Sequence, residues 1–202
     1  MDKYYRLYAG YRGQPNDSEK YGYSEDIYTD AERAYGEAVQ LFRSIRDKYK
    51  MDEAFRYDEY SKYEDEEEKA GPESEDDLFV NICLCDKDGN VTECVKTVNN
   101  EYMLQKIRED GLKAYIATYH PIVNGFEKEY KTKVEDIDKA AAEAAVRNAY
   151  INQMKNVRAR IERYHVVSLV GSLDDVIKNI EYAKENMVIK IEEDNEAQRR
   201  RS

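Results

Sequence analysis

Apolar positions along the chain change their period several times, and each change predicts a different element. Tyr4, Arg6 and Tyr8 alternate with Tyr5, Leu7 and Ala9, the two-residue period of a short strand over residues 3–9. Gly10 to Asp26, with three glycines, one proline and many polar residues, reads as loop. From Thr29 the period lengthens. Ala31, Ala34, Ala38, Leu41, Phe42 and Ile45 recur at spacings of three and four, the buried stripe of a helix reaching about Lys50. Thr29 followed by Glu32 has the form of a capping box at its start. Asp52 predicts the cap of a second, acidic helix through Phe55 to about Lys69, ended by Gly71-Pro72.

Leu78 to Val98 carries the clearest β pattern. Two runs rich in Val, Ile and Cys flank Asp86-Lys87-Asp88-Gly89-Asn90, and Asp-Gly favours a two-residue hairpin turn that sets Cys83 opposite Cys94. Asn99 or Asn100 then caps a helix bearing Met103, Leu104, Ile107 and Ala114, which must stop before Pro121. From about Phe126 to Tyr164, Tyr130, Val134, Ile137, Ala141, Ala144, Ile151, Met154, Val157 and Ile161 mark one face of a single long helix. Its heptad phase slips near Asn148, which disfavours a long two-stranded coiled coil. A strand over Val166–Val170, a helix capped by Ser172 and Asp175, and a strand over Met187–Ile191 read as a C-terminal β-α-β unit. The fold class expected is α+β. Two lobes are expected, a tyrosine-rich one over residues 1–77 that ends in an acidic segment and an α+β one over 78–202, with a single compact domain as the alternative.

Composition sharpens this picture. Leu, Ile, Val and Phe number 39, about 19% of the chain; with a net charge of −11 and a mean hydropathy of −0.92 that is a very polar protein at the compositional edge of disorder. Nineteen tyrosines compensate, since each buries an apolar ring while its hydroxyl stays wet. No apolar run approaches the length of a membrane-spanning helix, and Met1–Gly10 has no apolar core of a secretory signal. Three cysteines, an odd number, argue for a reducing, cytoplasmic compartment.

Charge is concentrated. Between Asp52 and Asp77 stand 13 acidic and three basic residues, a local −10 that leaves the rest of the chain near neutrality. Glu64, Asp65, Glu66, Glu67 and Glu68 form an unbroken run; Glu73, Glu75, Asp76 and Asp77 follow the Gly71-Pro72 break. Tyr57, Tyr60 and Tyr63 recur every three residues among Asp58, Glu59, Glu64 and Asp65. At its blandest this segment docks through its rings and solvates its acids. At its sharpest it is a partner surface, whose closely spaced carboxylates imitate a nucleic-acid backbone and whose tyrosines anchor the contact. The basic counterpart, Arg147, Arg158, Arg160 and Arg163, is expected to pair with the acidic segment or with Glu143 and Glu162.

Catalytic chemistry finds little footing. His120 and His165 are the only histidines, each expected at a helix end in a structural role, and the nucleophile and metalloprotease motifs are missing. Gly171-Ser172 reads as an ordinary N-cap, without the glycine-rich loop and lysine of a phosphate-binding site. Cys83, Cys85 and Cys94 have the wrong spacing for a zinc site, and Asp86-x-Asp88-Gly89 lacks the acid that would complete a calcium loop. Neither a catalytic residue, a cofactor nor a metal is expected.

In charge and tyrosine content the chain resembles the small acidic inhibitors of phages and mobile elements, anti-CRISPR proteins among them, some of which mimic DNA. The concentrated charge and the tyrosine spacing predict a non-enzymatic binding protein that engages a basic, nucleic-acid-handling partner, with Tyr57, Asp58, Glu59, Tyr60, Tyr63, Glu64–Glu68, Asp76 and Asp77 as the candidate contact residues; the resemblance, one of composition alone, transfers no site residue. A structural or adaptor protein that dimerises through its long helix is the alternative, and a carboxylate–metal enzyme a more distant one. Net repulsion predicts no binding of unrelated duplex DNA or RNA at physiological salt; a submicromolar mobility shift would instead assign nucleic-acid binding to the Arg147–Arg163 face.

Overall fold

Alternation in the first strand, β1 (Tyr4–Tyr11), buries Leu7, Ala9 and Tyr11 on one face and sends Arg6 and Tyr8 to the other. The structure, a computed structural model, describes residues 3–12, 22–56, 72, 74–123, 126–165, 168 and 171–199. Within it β1 lies inside a four-stranded antiparallel sheet of order β2-β1-β3-β4, with β2 at Gly22–Tyr28, β3 at Leu78–Cys85 and β4 at Val91–Asn99. All eight positions of β1 pair with β3, from Tyr4 opposite Cys85 to Tyr11 opposite Leu78. Leu7 thereby meets Ile82 and Ala9 meets Val80 on the buried face. Helix α1 (Ala31–Arg56) covers that face with Ala34, Ala38, Val39 and Phe42, all fully buried. Its N-cap is Asp30, whose Oδ1 accepts the Arg33 N–H at 2.9 Å, and not the expected Thr29, one residue earlier.

The chain divides into two compact units, Met1–Gly111 and Leu112–Ser202. The expected 77/78 boundary thus falls inside the first unit, where β3 pairs with β1 along its whole length. The second unit is an antiparallel sheet of order β8-β5-β9, built from β5 (Lys113–Tyr119), β8 (Tyr130–Asp136) and β9 (Ile189–Glu193). Two short strands, β6 (Ile122–Val123) and β7 (Phe126–Glu127), pair beside it. Helix α3 (Lys139–Tyr164) packs on the sheet, and α4 (Leu173–Glu185) packs on α3. Ala117, Val146, Tyr150, Ile151, Met154, Val176, Ala183, Met187 and Ile189 form this unit's core. A last helix, α5, covers Asn195–Arg199.

The architecture is α+β, as expected, and the hairpin, the long helix and the C-terminal helix and strand are present. Several local readings change. The segment expected as loop is strand at both ends, since Gly10 and Tyr11 belong to β1 and residues 22–26 to β2. Residues 126–138 are not helical: Tyr130–Asp136 is a strand opposite Lys113–Tyr119, and Asp138, accepting from Ala141 N at 2.9 Å, starts the helix. Ala114 belongs to β5, because α2 (Asn100–Asp110) ends at Gly111, whose φ of 69° few other residues adopt. No break separates α1 from a second helix at Asp52; α1 runs on to Arg56 and residues 57–71 lie outside the described residues. The hairpin connection is longer than two residues, Cys85 pairing with Val91, and a register shift between Leu84 and Cys85 restores Cys83 opposite Cys94. Of the strand expected over 166–170 only Ser168 is described, in an isolated bridge to Gly171. Instead β9 closes on β5, antiparallel.

Ile151 is 6% exposed in the second core. Ile151→Asp should cost on the order of 3–5 kcal/mol, the penalty of a buried charge without a partner, read as a large fall in Tm; an unchanged Tm would mean that the α3 face is not buried.

Candidate functional site

The acidic segment leaves the end of α1 and returns ahead of β3, and both of its flanks belong to the first unit. The returning end is built with care. Ser74 caps a single 3₁₀ turn, Glu75–Asp77, in a reciprocal box: Asp76 N donates to Ser74 Oγ at 3.2 Å and Ser74 N donates to Asp77 Oδ2 at 3.0 Å. Three further contacts hold the turn. Arg12 N donates to Asp77 O at 3.0 Å, Asn100 Nδ2 donates to Asp76 Oδ1 at 2.7 Å, and Lys50 Nζ reaches Glu75 Oε2 at 2.8 Å. The last pairs the C-terminal part of α1 with the turn, so the two ends of the insert are drawn together. Being half exposed, it contributes little energy by itself; its meaning is geometric.

Of the expected contact residues, Asp76 and Asp77 lie in this turn, where Asp77 serves mainly as a cap and Asp76 is exposed. Tyr57, Asp58, Glu59, Tyr60, Tyr63 and Glu64–Glu68 lie outside the described residues. Beside the turn is a cavity of about 550 Å³, lined by Arg12, Asp76, Asn99, Glu101, Leu104 and Arg108. Sequence reading missed it, since its residues come from four separate segments that only the β1–β3–β4 ladder gathers. With two guanidinium groups and two carboxylates on its wall it carries no net sign, and it defines no reaction.

Of the four basic residues, Arg147 is drawn inward, Arg158 and Arg163 interact within their own helix, and Arg160 is exposed. Arg147, 4% exposed, donates from Nη1 to Ala183 O at 2.7 Å and Met187 O at 2.8 Å, closing the end of α4, and from Nη2 to Glu143 Oε1 at 2.6 Å. Arg158 Nε donates to Glu162 Oε1 at 2.8 Å, and the Arg163 guanidinium lies 5.3 Å from the Tyr164 ring centre. The expected pairings of Arg147 and Arg158 with Glu143 and Glu162 are therefore present. His165 is the left-handed cap of α3, φ 51°, donating its backbone N–H to Ile161 O at 2.8 Å. His120 follows a strand, not a helix, and stands 3.6 Å from Glu129. Ser172 caps α4 with Asp175, as expected.

Among the described residues no three His, Cys, Asp or Glu side chains converge as a metal-binding group, and no helix is long and apolar enough to cross a membrane. Asp86, the first residue of the half-calcium pattern, spends its carboxylate on its own loop: Oδ1 accepts Asp88 N and Asn90 N, each at 2.9 Å, and Oδ2 accepts Asn90 Nδ2 at 2.8 Å. Comparison with family models, with curated proteins and with solved structures finds no match to this chain. Its function is read from its own residues.

The Asn90 side chain, followed by the loop's backbone N–H groups, holds the Asp86 carboxyl below its usual 3.8. A carboxyl lowered on folding stabilises the native state above its unfolded value, and that contribution disappears as pH falls through the folded one. The Tm advantage of the parent over Asp86→Ala should therefore be constant from about pH 5 to 8 and shrink below about pH 4; an advantage that persists unchanged into acid would remove Asp86 from this role.

Proposed function

We propose that the protein is a non-enzymatic, acidic binding protein that engages a basic, nucleic-acid-handling protein through the segment from Tyr57 to Asp77. In this reading it acts as an inhibitor or nucleic-acid mimic of the kind phages deploy against host defence, anti-CRISPR proteins included. One observation carries the proposal. The first unit, Met1–Gly111, holds 28 acidic and 16 basic residues, whereas the second, Leu112–Ser202, holds 15 and 16, so the negative charge of the whole chain belongs to one unit. Most of it sits in an insert whose ends are tied together by Lys50 and Glu75. Selection for solubility alone would have spread it.

Two of the four arginines expected to pair with the insert are engaged elsewhere. Arg147 and Arg158 are satisfied by Glu143 and Glu162 within their own helix. A partner with a groove built to hold phosphates would supply counter-charge to the insert. Self-association through the long helix has less support: Ile151 and Met154 are buried in the core of the second unit, and Val157 and Ile161 pack against it.

Replacing Glu64, Asp65, Glu66, Glu67 and Glu68 by Gln should leave Tm unchanged or raise it, because like charges at this density repel. Capture of the basic partner should weaken mainly through slower association at low salt, since exposed charge steers before contact. Tyr57→Ala and Tyr60→Ala should instead speed dissociation. Kinetics at two ionic strengths check both, and a Gln variant that binds as fast and as tightly as the parent would reduce the run to a solvated face.

A further inference from the structure

The β3–β4 hairpin brings two of the three cysteines together on the face of the sheet away from α1. Cys83 and Cys94 are direct cross-strand partners, and both are free thiols. The pair sits in a two-pair stretch, with Leu84 opposite Glu93, bounded by register shifts at Ile82/Cys83 and Leu84/Cys85; direct partners in a regular antiparallel ladder have Cα atoms about 4.5–5.5 Å apart, inside the range of roughly 4.4–6.8 Å that a disulfide spans. Their side chains are already hydrogen-bonded to each other. Accessibility divides the pair: Cys94 is exposed, whereas Cys83 is fully buried. On its other side Cys83 faces Arg6 of β1, whose guanidinium lies 5.2 Å from the Tyr23 ring centre. Cys85 is also buried, but the register shift after Leu84 sets it against Val91, so no thiol opposes it across the ladder.

We propose that Cys94 is a modification site for low-molecular-weight disulfides such as oxidised glutathione, and that Cys83 resolves the adduct into a Cys83–Cys94 disulfide that staples the hairpin. In the first step the Cys94 thiolate attacks one sulfur of the small disulfide. A mixed disulfide forms, the small S–S bond breaks, and one small thiolate leaves and is protonated. In the second step Cys83 loses its proton to solvent and attacks Sγ of Cys94, expelling the second small thiolate. Two protein thiols are oxidised and one small disulfide is reduced to two thiols.

The two steps differ in speed. In the reduced pair burial, with the hydrogen bond to Cys94 adding to it, pushes the Cys83 thiol up to about 12; in the adduct the Cys94 thiol is gone and burial keeps Cys83 raised. Only a small fraction is thiolate at neutral pH, so the resolving step is slow and the Cys94 adduct accumulates first. In a reducing compartment the pair stays as two thiols; the staple belongs to oxidising conditions. This inference is independent of the acidic insert and of its partner.

The test uses the full chain, incubated with oxidised glutathione between pH 7 and 10, quenched in acid and followed by intact mass and non-reducing peptide mapping. An adduct on Cys94 should appear first and convert to a chain two hydrogens lighter than the reduced form, with Cys83 and Cys94 linked. The conversion should accelerate about tenfold per pH unit and keep rising beyond pH 9, where an ordinary thiol would level off. Cys83→Ser should trap the adduct, Cys94→Ser should abolish both species, and Cys85→Ser should behave as the parent. An adduct on the parent that never resolves, a link that maps to Cys85, or equal conversion rates in the folded and the urea-unfolded chain would each overturn the proposal. Mapping of the parent decides the matter even if a variant fails to fold.

Discussion

The eight-position ladder between β1 and β3 is the constraint on which the first unit depends. It joins the start of the chain to residues 78–85 across more than sixty intervening residues, and closing so long a loop costs entropy that only cooperative burial offsets. Leu7 against Ile82 and Ala9 against Val80 provide that burial once α1 covers them. The same ladder lets Arg12 N reach Asp77 O and so fixes where the acidic insert rejoins the sheet. Without it there would be neither a base for the insert nor a cavity beside it.

Charge and packing are partitioned between the units. The second unit is close to neutral, and it takes one of its arginines into the core, where Arg147 satisfies two carbonyls at the end of α4 and keeps Glu143 as its counter-ion. A buried guanidinium is tolerable only with such a full set of partners. The first unit carries the acidic excess in its sequence, and its apolar layer is built from other residues: Leu7, Ala9, Val39, Phe42, Val80 and Ile82. None of the residues of that apolar layer belongs to the acidic run at 64–68.

The elements that sequence reading misplaced share a cause. Residues 113–119 and 130–136 both carry alternating or mixed patterns that also fit a helical stripe when Ala, Val and Ile fall three or four apart. Val134 and Ile137 extend the periodicity of α3 backward, yet Val134 pairs with Tyr115 across a strand ladder. The capping residues held the discriminating signal: Gly111 ends α2, and Asp138 begins α3. Thr29 and Asp30 are both competent caps, and it is Asp30 that accepts the Arg33 N–H.

What the sequence determined by itself was local and compositional: the α+β class, a turn within residues 86–90, a cap at Asn99 or Asn100 and another at Ser172, and the concentration of charge in one segment. Each follows from interactions among near neighbours or from counting. What only the tertiary structure decided were the β1–β3 and β5–β9 pairings, the division at Gly111, the inward fate of Arg147 and the tying of Lys50 to Glu75. These join residues far apart along the chain, and their choice of partner depends on which apolar faces are buried together, a property of the whole packed layer that no local window contains.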